Sequence, residues 1–258
     1  MTEAVSGDAF RVMKEHEDPV VIDLPSIVSE SLVFGTESDD VFNLTPNGVW
    51  GTYNVARWNG GDDYVRLAGF NRYYDALNGV DGYDCVQLAG GDNALLYSDV
   101  LSPKPADADA TARLAVISEI LGNDGRDVID MTAATGGYDG DLLLKGGAGN
   151  DALWSGSGND ILIGGDGDDD LRGGNGDDIY LFGKDWGHDV IHDTGGSLVF
   201  DESLNGKLSF SATDDGTRIS DGLNSVDLNW RATMEDIQYA DISELSSMRL
   251  ETIKGFLA

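Results

Sequence analysis

Four aspartates, Asp151, Asp160, Asp169 and Asp178, recur every nine residues, and each is followed two places later by an apolar residue: Leu153, Leu162, Leu171 and Tyr180. Residues 146–181 read GGAGNDALW, SGSGNDILI, GGDGDDDLR and GGNGDDIYL, four blocks with no gap between them. Every block has glycine at its second and fourth places, Asp at the sixth and an apolar residue at the eighth. Carboxylates set among glycine-rich backbone carbonyls offer oxygen donors only. That donor set suits a hard cation with flexible coordination, Ca²⁺ over zinc or copper.

A fixed period dictates the elements that must hold these groups. Each block divides into six loop residues, where glycine permits tight reversal, and three strand residues with an apolar centre. Two blocks then make one coil with a strand on each side. Coils stack at strand spacing, roughly 4.8 Å, so loops 18 residues apart lie over one another. This stacking sets Asp151 beside Asp169 and Asp160 beside Asp178. Such like-charged columns repel unless a cation sits between coils. A disordered acidic linker would not keep the four apolar residues in register.

The stretch resembles the RTX (repeats-in-toxin, haemolysin-type calcium-binding) repeat, whose pattern is GGxGxDxUx with U apolar; only Ser155 departs from a fixed position. The resemblance implies an all-β fold, a right-handed parallel β-roll or β-helix, with irregular N-terminal coils and a C-terminal β cap carrying a short helix. It also implies several Ca²⁺ ions, held by sixth-place carboxylates and by backbone carbonyls of neighbouring loop residues. The candidate ligands are Gly136, Tyr138 and Asp141; Gly146, Ala148, Asn150 and Asp151; Ser157, Asn159 and Asp160; Gly164, Asp166, Asp168 and Asp169; Gly173, Asn175, Asp177 and Asp178; and Asp127 and Asp189 outside the regular blocks. About four sites are expected, between loops 136–141 and 155–160, 146–151 and 164–169, 155–160 and 173–178, and 164–169 and the loop ending at Asp189.

The chain has 258 residues, 16 basic against 47 acidic, for a net charge of −31. Nucleic acid and anionic membranes are poor partners for it; divalent cations are good ones. Without them the acidic roll is expected to be self-repelled and largely unfolded, so metal binding and folding are coupled. A hydrophobic content of 41% is that of a globular chain, and the single cysteine, Cys85, excludes an intramolecular disulfide. The N-terminus lacks the apolar core of a secretory signal, and no run of about 18 apolar residues exists for a membrane span. The RTX resemblance implies export all the same, by type I secretion through an uncleaved C-terminal signal, with folding in calcium-rich surroundings outside the cell.

Four regions are expected. Residues 1–31 form a lead-in with one strand around Val20–Ile22. Residues 32–135 repeat the Gly/Asp theme at uneven spacing, as at Asp39 and Asp40, Gly60 to Asp63, Gly82 and Asp84, and Gly90 to Asn93; these loops either bind calcium or simply turn the chain. Residues 112–121 are a short helix or a returning strand. The roll spans residues 136–193: the block 136–144 has Asp139 in place of the fourth glycine and Asp141 at the sixth place, and a lengthened block ends at Asp189. Residues 194–258 hold short strands and a tail with Ile242, Leu245, Met248, Ile253 and Leu257 at helical spacing and Leu250 off that stripe. They are expected to cap the open end of the stack, with the tail either an amphipathic helix docked on that cap or the secretion signal itself.

No HExxH motif, nucleophile elbow or Walker loop is present. His188 and His192 fall at loop and strand places, and Cys85 reads as a buried thiol. The expected function is therefore a secreted, non-enzymatic calcium-binding protein with a structural, surface-attachment or assembly role, its partner a cell-surface protein or a polysaccharide. The alternative is a polysaccharide-acting enzyme or carbohydrate-binding module. Its working face would include Arg57, Trp58, Tyr64, Arg66, Phe70, Arg72, Tyr73 and Tyr74, where aromatic and cationic groups crowd together.

Overall fold

Parallel strands two blocks apart pair in register throughout the roll. A computed structural model of the chain describes residues 84–88, 90–96, 114–115, 117–132 and 138–257, together with the strands that precede them. Leu144 pairs with Leu162 and Leu162 with Tyr180; on the opposite side Ile129, Leu153, Leu171 and Ile191 pair in succession. These are the eighth-place residues. In a three-residue strand only the centre points inward, so the two columns meet and form the core, each member no more than 1% exposed. The fold is of the all-β class, mostly strands in parallel sheets with few helices.

A ten-stranded sheet runs from Val20–Leu24 through Leu143–Ala148, Ile161–Asp166 and Ile179–Phe182 to Ser197–Asp201 and Ile237–Ala240. An eight-stranded sheet runs from Ala94–Leu96 through Val128–Asp130, Ala152–Trp154, Asp170–Arg172 and His188–Ile191 to Ser225–Leu228, where Thr217–Ser220 and Ser209–Ala212 add antiparallel. A six-stranded sheet collects the remaining early strands. The lead-in carries three strands, Glu3–Val5, Ala9–Arg11 and Val20–Leu24, instead of the single one expected, and the last opens the largest sheet. Residues 119–124 are strand, not helix. The side chains of the 57–74 aromatic and arginine cluster, and the loop residues Asp39 and Gly60–Asp63, lie outside the described residues; Asp40 begins the strand Asp40–Leu44.

The lengthened block places Asp189 20 residues after Asp169 instead of 18. The inserted residues carry Trp186 into the core, where its ring lies edge-on to Phe182 and Phe200.

The two outer faces of the roll differ. Leu143, Ile161, Ile163, Leu181 and Val199 make the outer face of the ten-stranded sheet apolar, and two short helices, α1 (Ile242–Leu245) and α2 (Leu250–Leu257), cover it with Ile242, Leu245, Leu250 and Ile253. Strand Ile237–Ala240 does end that sheet, as a cap would. The tail beyond it runs along the side of the roll and not across its end. Leu250, off the expected helical stripe, is buried because the helix breaks between α1 and α2 and restarts in a new phase.

Candidate metal centre

The sixth-place residues form one column along each loop edge. Along the first edge, Asp127 N–H donates to Asp151 Oδ1 at 2.8 Å, Asp151 N–H to Asp169 Oδ1 at 2.8 Å and Asp169 N–H to Asp189 Oδ1 at 2.9 Å. Asn93 sits below Asp127 and donates to its Oδ1 from both backbone and side chain at 2.8 Å. Along the second edge Asp160 N–H donates to Asp178 Oδ1 at 2.9 Å. Each Oδ1 therefore serves the storey beneath.

The other oxygen has no such partner. Oδ2 of Asp127, Asp151, Asp160, Asp169 and Asp178 is buried with no hydrogen-bond donor. A buried carboxylate oxygen left unpaired costs several kcal/mol unless a cation meets it. A Cβ placed on the first-place glycine of the same block would collide with that oxygen: Gly146 with Asp151 Oδ2, Gly164 with Asp169 Oδ2, Gly173 with Asp178 Oδ2. The carbonyl oxygen of the next storey's first residue crowds the same space, Gly164 O over Gly146 and Gly146 O over Gly122. Carboxylate and carbonyl oxygens thus converge where only a glycine leaves room. Second- and fourth-place glycines such as Gly147 (φ 114°) and Gly149 (φ 131°) supply the left-handed turns that aim these carbonyls.

Burial drives the acidity of the column. It pushes Asp151 and Asp160 up to about 6, Asp169 and Asp178 to about 7 and Asp189 to about 9, with neighbouring carboxylates adding to the rise. Asp127 is also raised by burial, against the pull of its Asn93 bonds. The column thus binds protons well above the ordinary carboxylate range, and a cation between the carboxylates competes with those protons.

Fifth-place side chains do different work. Asn150 Oδ1 accepts Asp168 N–H, Asn159 Oδ1 accepts Asp177 N–H, and Asp168 Oδ1 accepts His188 N–H, at 2.8–3.2 Å. They form an exposed outer ladder reaching upward, while the sixth-place ladder reaches downward. The third-place carbonyls of Ala148 and Asp166 are engaged as well, accepting Gly125 N–H and Gly149 N–H. Asn175 donates to Gly156 O and, from its side chain, to Ser157 Oγ.

The block expected at 136–144 is displaced by one residue. Leu142 N–H donates to Asp160 Oδ1, the sixth-place contact, and Asn159 N–H donates to Asp141 Oδ1, the fifth-place contact. Gly140 O lies against Gly158, as one fourth-place glycine lies against another. Asp141 is therefore at the fifth place and Leu142 occupies the sixth, because Lys145 belongs to this block as its ninth residue. The site expected between loops 136–141 and 155–160 lacks its lower carboxylate. Tyr138 is an anchor: its hydroxyl pairs with both the N–H and the carbonyl of Ile117, and its own carbonyl accepts Ser157 N–H. Gly136 lies outside the described residues. The paired carboxylates are Asp127/Asp151, Asp151/Asp169 and Asp169/Asp189 on one edge and Asp160/Asp178 on the other. The first pair was missed because the interruption after Asp130, six residues once Lys145 is counted as a ninth residue, hides that the 122–127 loop stacks in phase.

Ser155 alters its own loop. Where the other blocks have bare glycine against the carboxylate, Ser155 has a Cβ, and Gly156 and Gly158 leave the left-handed region that their counterparts occupy. Its hydroxyl donates to Gly173 O at 2.6 Å.

Among the described residues no three His, Cys, Asp or Glu side chains gather around one point. The donor set is completed by backbone carbonyls, and such a set fits a hard cation with many oxygen ligands. His188 and His192 are exposed and engaged apart from each other, by Ser225 and Asp170, and Cys85 is buried. No described helix is long and apolar enough to cross a membrane.

A search of curated proteins finds no match. Among known families, four copies of the RTX calcium-binding nonapeptide repeat match residues 144–180. The stacked loops with their unpaired carboxylate oxygens are thus the calcium-binding coils of an RTX repeat, which this chain carries over residues 144–180.

Proposed function

We propose that the chain is a secreted protein that folds as its roll takes up calcium and that serves a structural, surface-attachment or assembly role without catalytic chemistry of its own. The observation that carries this reading is the column of buried, unpartnered Oδ2 atoms at Asp127, Asp151 and Asp169, matched by Asp160 and Asp178 on the opposite edge. Four carboxylate pairs stacked in this way are self-repelling as anions and mutually supporting with a divalent ion between them. Secretion is the common trait of proteins with these repeats, and calcium outside the cell supplies the driving force for folding there. The test is equilibrium dialysis of the full chain against calcium after EGTA treatment, with secretion assayed in the native host. A chain that retains no calcium sinks the reading.

A second reading, polysaccharide binding, is favoured by a groove of about 670 Å³ lined in part by Thr132, Arg172, Asn175, His192, Thr194 and Asn229. The Arg172 guanidinium lies 5.1 Å from the centre of the Trp154 ring beside it. Amides, hydroxyls and one guanidinium are the groups that recognise hydroxylated, acidic sugars. Calorimetry with an acidic and a neutral polysaccharide, on the calcium-loaded chain and on Arg172→Ala, tests it; no binding to either excludes it.

A further inference from the structure

The carboxylate columns do not run the length of the described stack. On the second edge the sixth place is Asp178, then Asp160, then Leu142, and below it Ser118, whose carbonyl accepts Leu143 N–H. A carboxylate returns to that place only at Asp84, whose carbonyl accepts Glu119 N–H. On the first edge Asp127 rests on Asn93. The interface between the coil of Asn93 and the coil of Ser118 therefore sets no sixth-place carboxylate against another on either edge. What holds it needs no ion. Asn93 donates from N and from Nδ2 to Asp127 Oδ1, both at 2.8 Å, so an amide meets a carboxylate where the storeys above oppose two carboxylates. Asn123 takes, at φ 77°, a left-handed place that glycine holds in the regular blocks. Its side chain accepts Gln87 Nε2 at 2.9 Å and donates to Leu88 O. One coil up, Tyr138 Oη closes on both backbone groups of Ile117, and the Leu142 side chain is fully buried in the core. Charged groups at these coils are matched in ion pairs, Lys145 with Glu119 and Lys254 of α2 with Asp141, each at 2.5 Å.

We propose that the coils of Asn93, Ser118 and Leu142 form a calcium-independent waist of the stack, a preformed template on which the calcium-binding coils above assemble. Amide, hydroxyl and apolar contacts are favourable without a counter-ion, whereas facing buried carboxylates are not. In a stack of coils each new coil is stabilised by the one beneath it, so a finished coil removes the cost of starting the next. The waist presents such a coil through strands Glu119–Asp124 and Val128–Asp130, and their partners Leu143–Ala148 and Ala152–Trp154 open the calcium-binding storeys. Asp127 marks the boundary: an amide meets it from below and a carboxylate, Asp151, lies above. The proposal rests on the calcium reading of the storeys above, and the β signal that EGTA removes is that of those storeys.

The storeys repeat one backbone bond, from the residue after the sixth place to the sixth-place carbonyl beneath. It runs from Val128 to Asn93, Glu119 to Asp84 and Leu143 to Ser118 in the waist, and from Asp170 to Asp151, Ile179 to Asp160 and Val190 to Asp169 in the roll. Hydrogen exchange of these six amides, read by NMR on the full chain, compares storeys through the same bond. In saturating calcium all six should be protected. In EGTA at neutral pH Asp170, Ile179 and Val190 should lose protection, and Val128, Glu119 and Leu143 should keep at least about tenfold more than they do. Asn93→Asp sets two carboxylates face to face in the waist. Its waist amides should lose protection in EGTA and recover it in calcium, and native mass spectrometry at saturating calcium should count one ion more than in the wild type. The wild-type comparison decides by itself should Asn93→Asp fail to fold in calcium. Loss of both sets of amides together in EGTA, or an Asn93→Asp chain that folds and keeps its waist protection in EGTA, overturns the proposal and leaves the calcium reading standing. Retention of both sets in a wild-type chain that holds no calcium defeats that reading, and the proposal with it.

Discussion

Asp169 Oδ1 accepts the backbone N–H of Asp151 at 2.8 Å, and Asp169 Oδ2, buried in the same storey, meets no donor at all. One side chain thus performs two tasks. The first oxygen ties coil to coil; the second is kept dry and unpaired for a cation. Because Asp127, Asp151, Asp160 and Asp178 repeat the arrangement, folding and calcium binding share the same atoms.

Calcium removal should therefore unfold the roll. In EGTA the far-UV circular dichroism should lose its β signal and regain it in millimolar calcium. Trp186, now 1% exposed beside Phe182 and Phe200, should report the same transition by a red shift of its emission when calcium is withdrawn. A spectrum indifferent to calcium would sink the coupling.

Acid should partly replace calcium. Burial raises the folded-state values of Asp151, Asp160, Asp169, Asp178 and Asp189 above an ordinary carboxylate, to between about 6 and about 9. The metal-free fold therefore binds more protons than the unfolded chain, and its stability falls as pH rises. The contribution is complete below about pH 4, the unfolded value, and is lost as pH passes through 6 to 9. In EGTA the chain should be more structured at pH 5 than at pH 8. Calcium affinity should run the opposite way and weaken on acidification. Equal urea midpoints at the two pH values without calcium would contradict this.

Asp169→Asn should change sign with conditions. The amide keeps an acceptor for Asp151 N–H and removes a buried charge, so the calcium-free protein should gain stability. With calcium present, loss of a charged ligand should weaken binding by an order of magnitude or more. Asp168→Asn, on the exposed outer ladder with His188 N–H on its Oδ1, should shift calcium affinity by less than that. Titration by calorimetry compares the two.

Glycine substitutions should separate architecture from composition. Gly147 has φ 114°, and a Cβ there would collide with Asn123 O; Gly147→Ala should cost about 2 kcal/mol or more of calcium-loaded stability. Gly183 has open space around it, and Gly183→Ala should lie within about 0.5 kcal/mol of the wild type. Thermal unfolding in saturating calcium measures both.

Much of the roll was legible from spacing alone. A nine-residue period with glycine at fixed places and an apolar residue at the eighth admits one economical solution, stacked two-block coils, and that solution alone sets Asp151 under Asp169 and Asp160 under Asp178. The chemistry followed, since carboxylates and carbonyls were the only donors at hand. Composition, periodicity and charge are local or summed properties, so the chain could declare them without its fold.

Other features depended on which coil lies on which. The block before Gly146 could be cut after Leu144 or after Lys145, and only pairing with the next coil showed that Leu142, not Asp141, lies under Asp160. The Asp127/Asp151 pair emerged only once the interruption after Asp130 was seen not to shift the stack. The downward reach of sixth-place carboxylates and the upward reach of fifth-place side chains are relations between neighbouring storeys and have no signature within one block. The meeting of Lys254 with Asp141 is the clearest case. It joins residues far apart in the chain, and the apolar outer face of the ten-stranded sheet, which draws α2 across it, exists only after the coils have stacked.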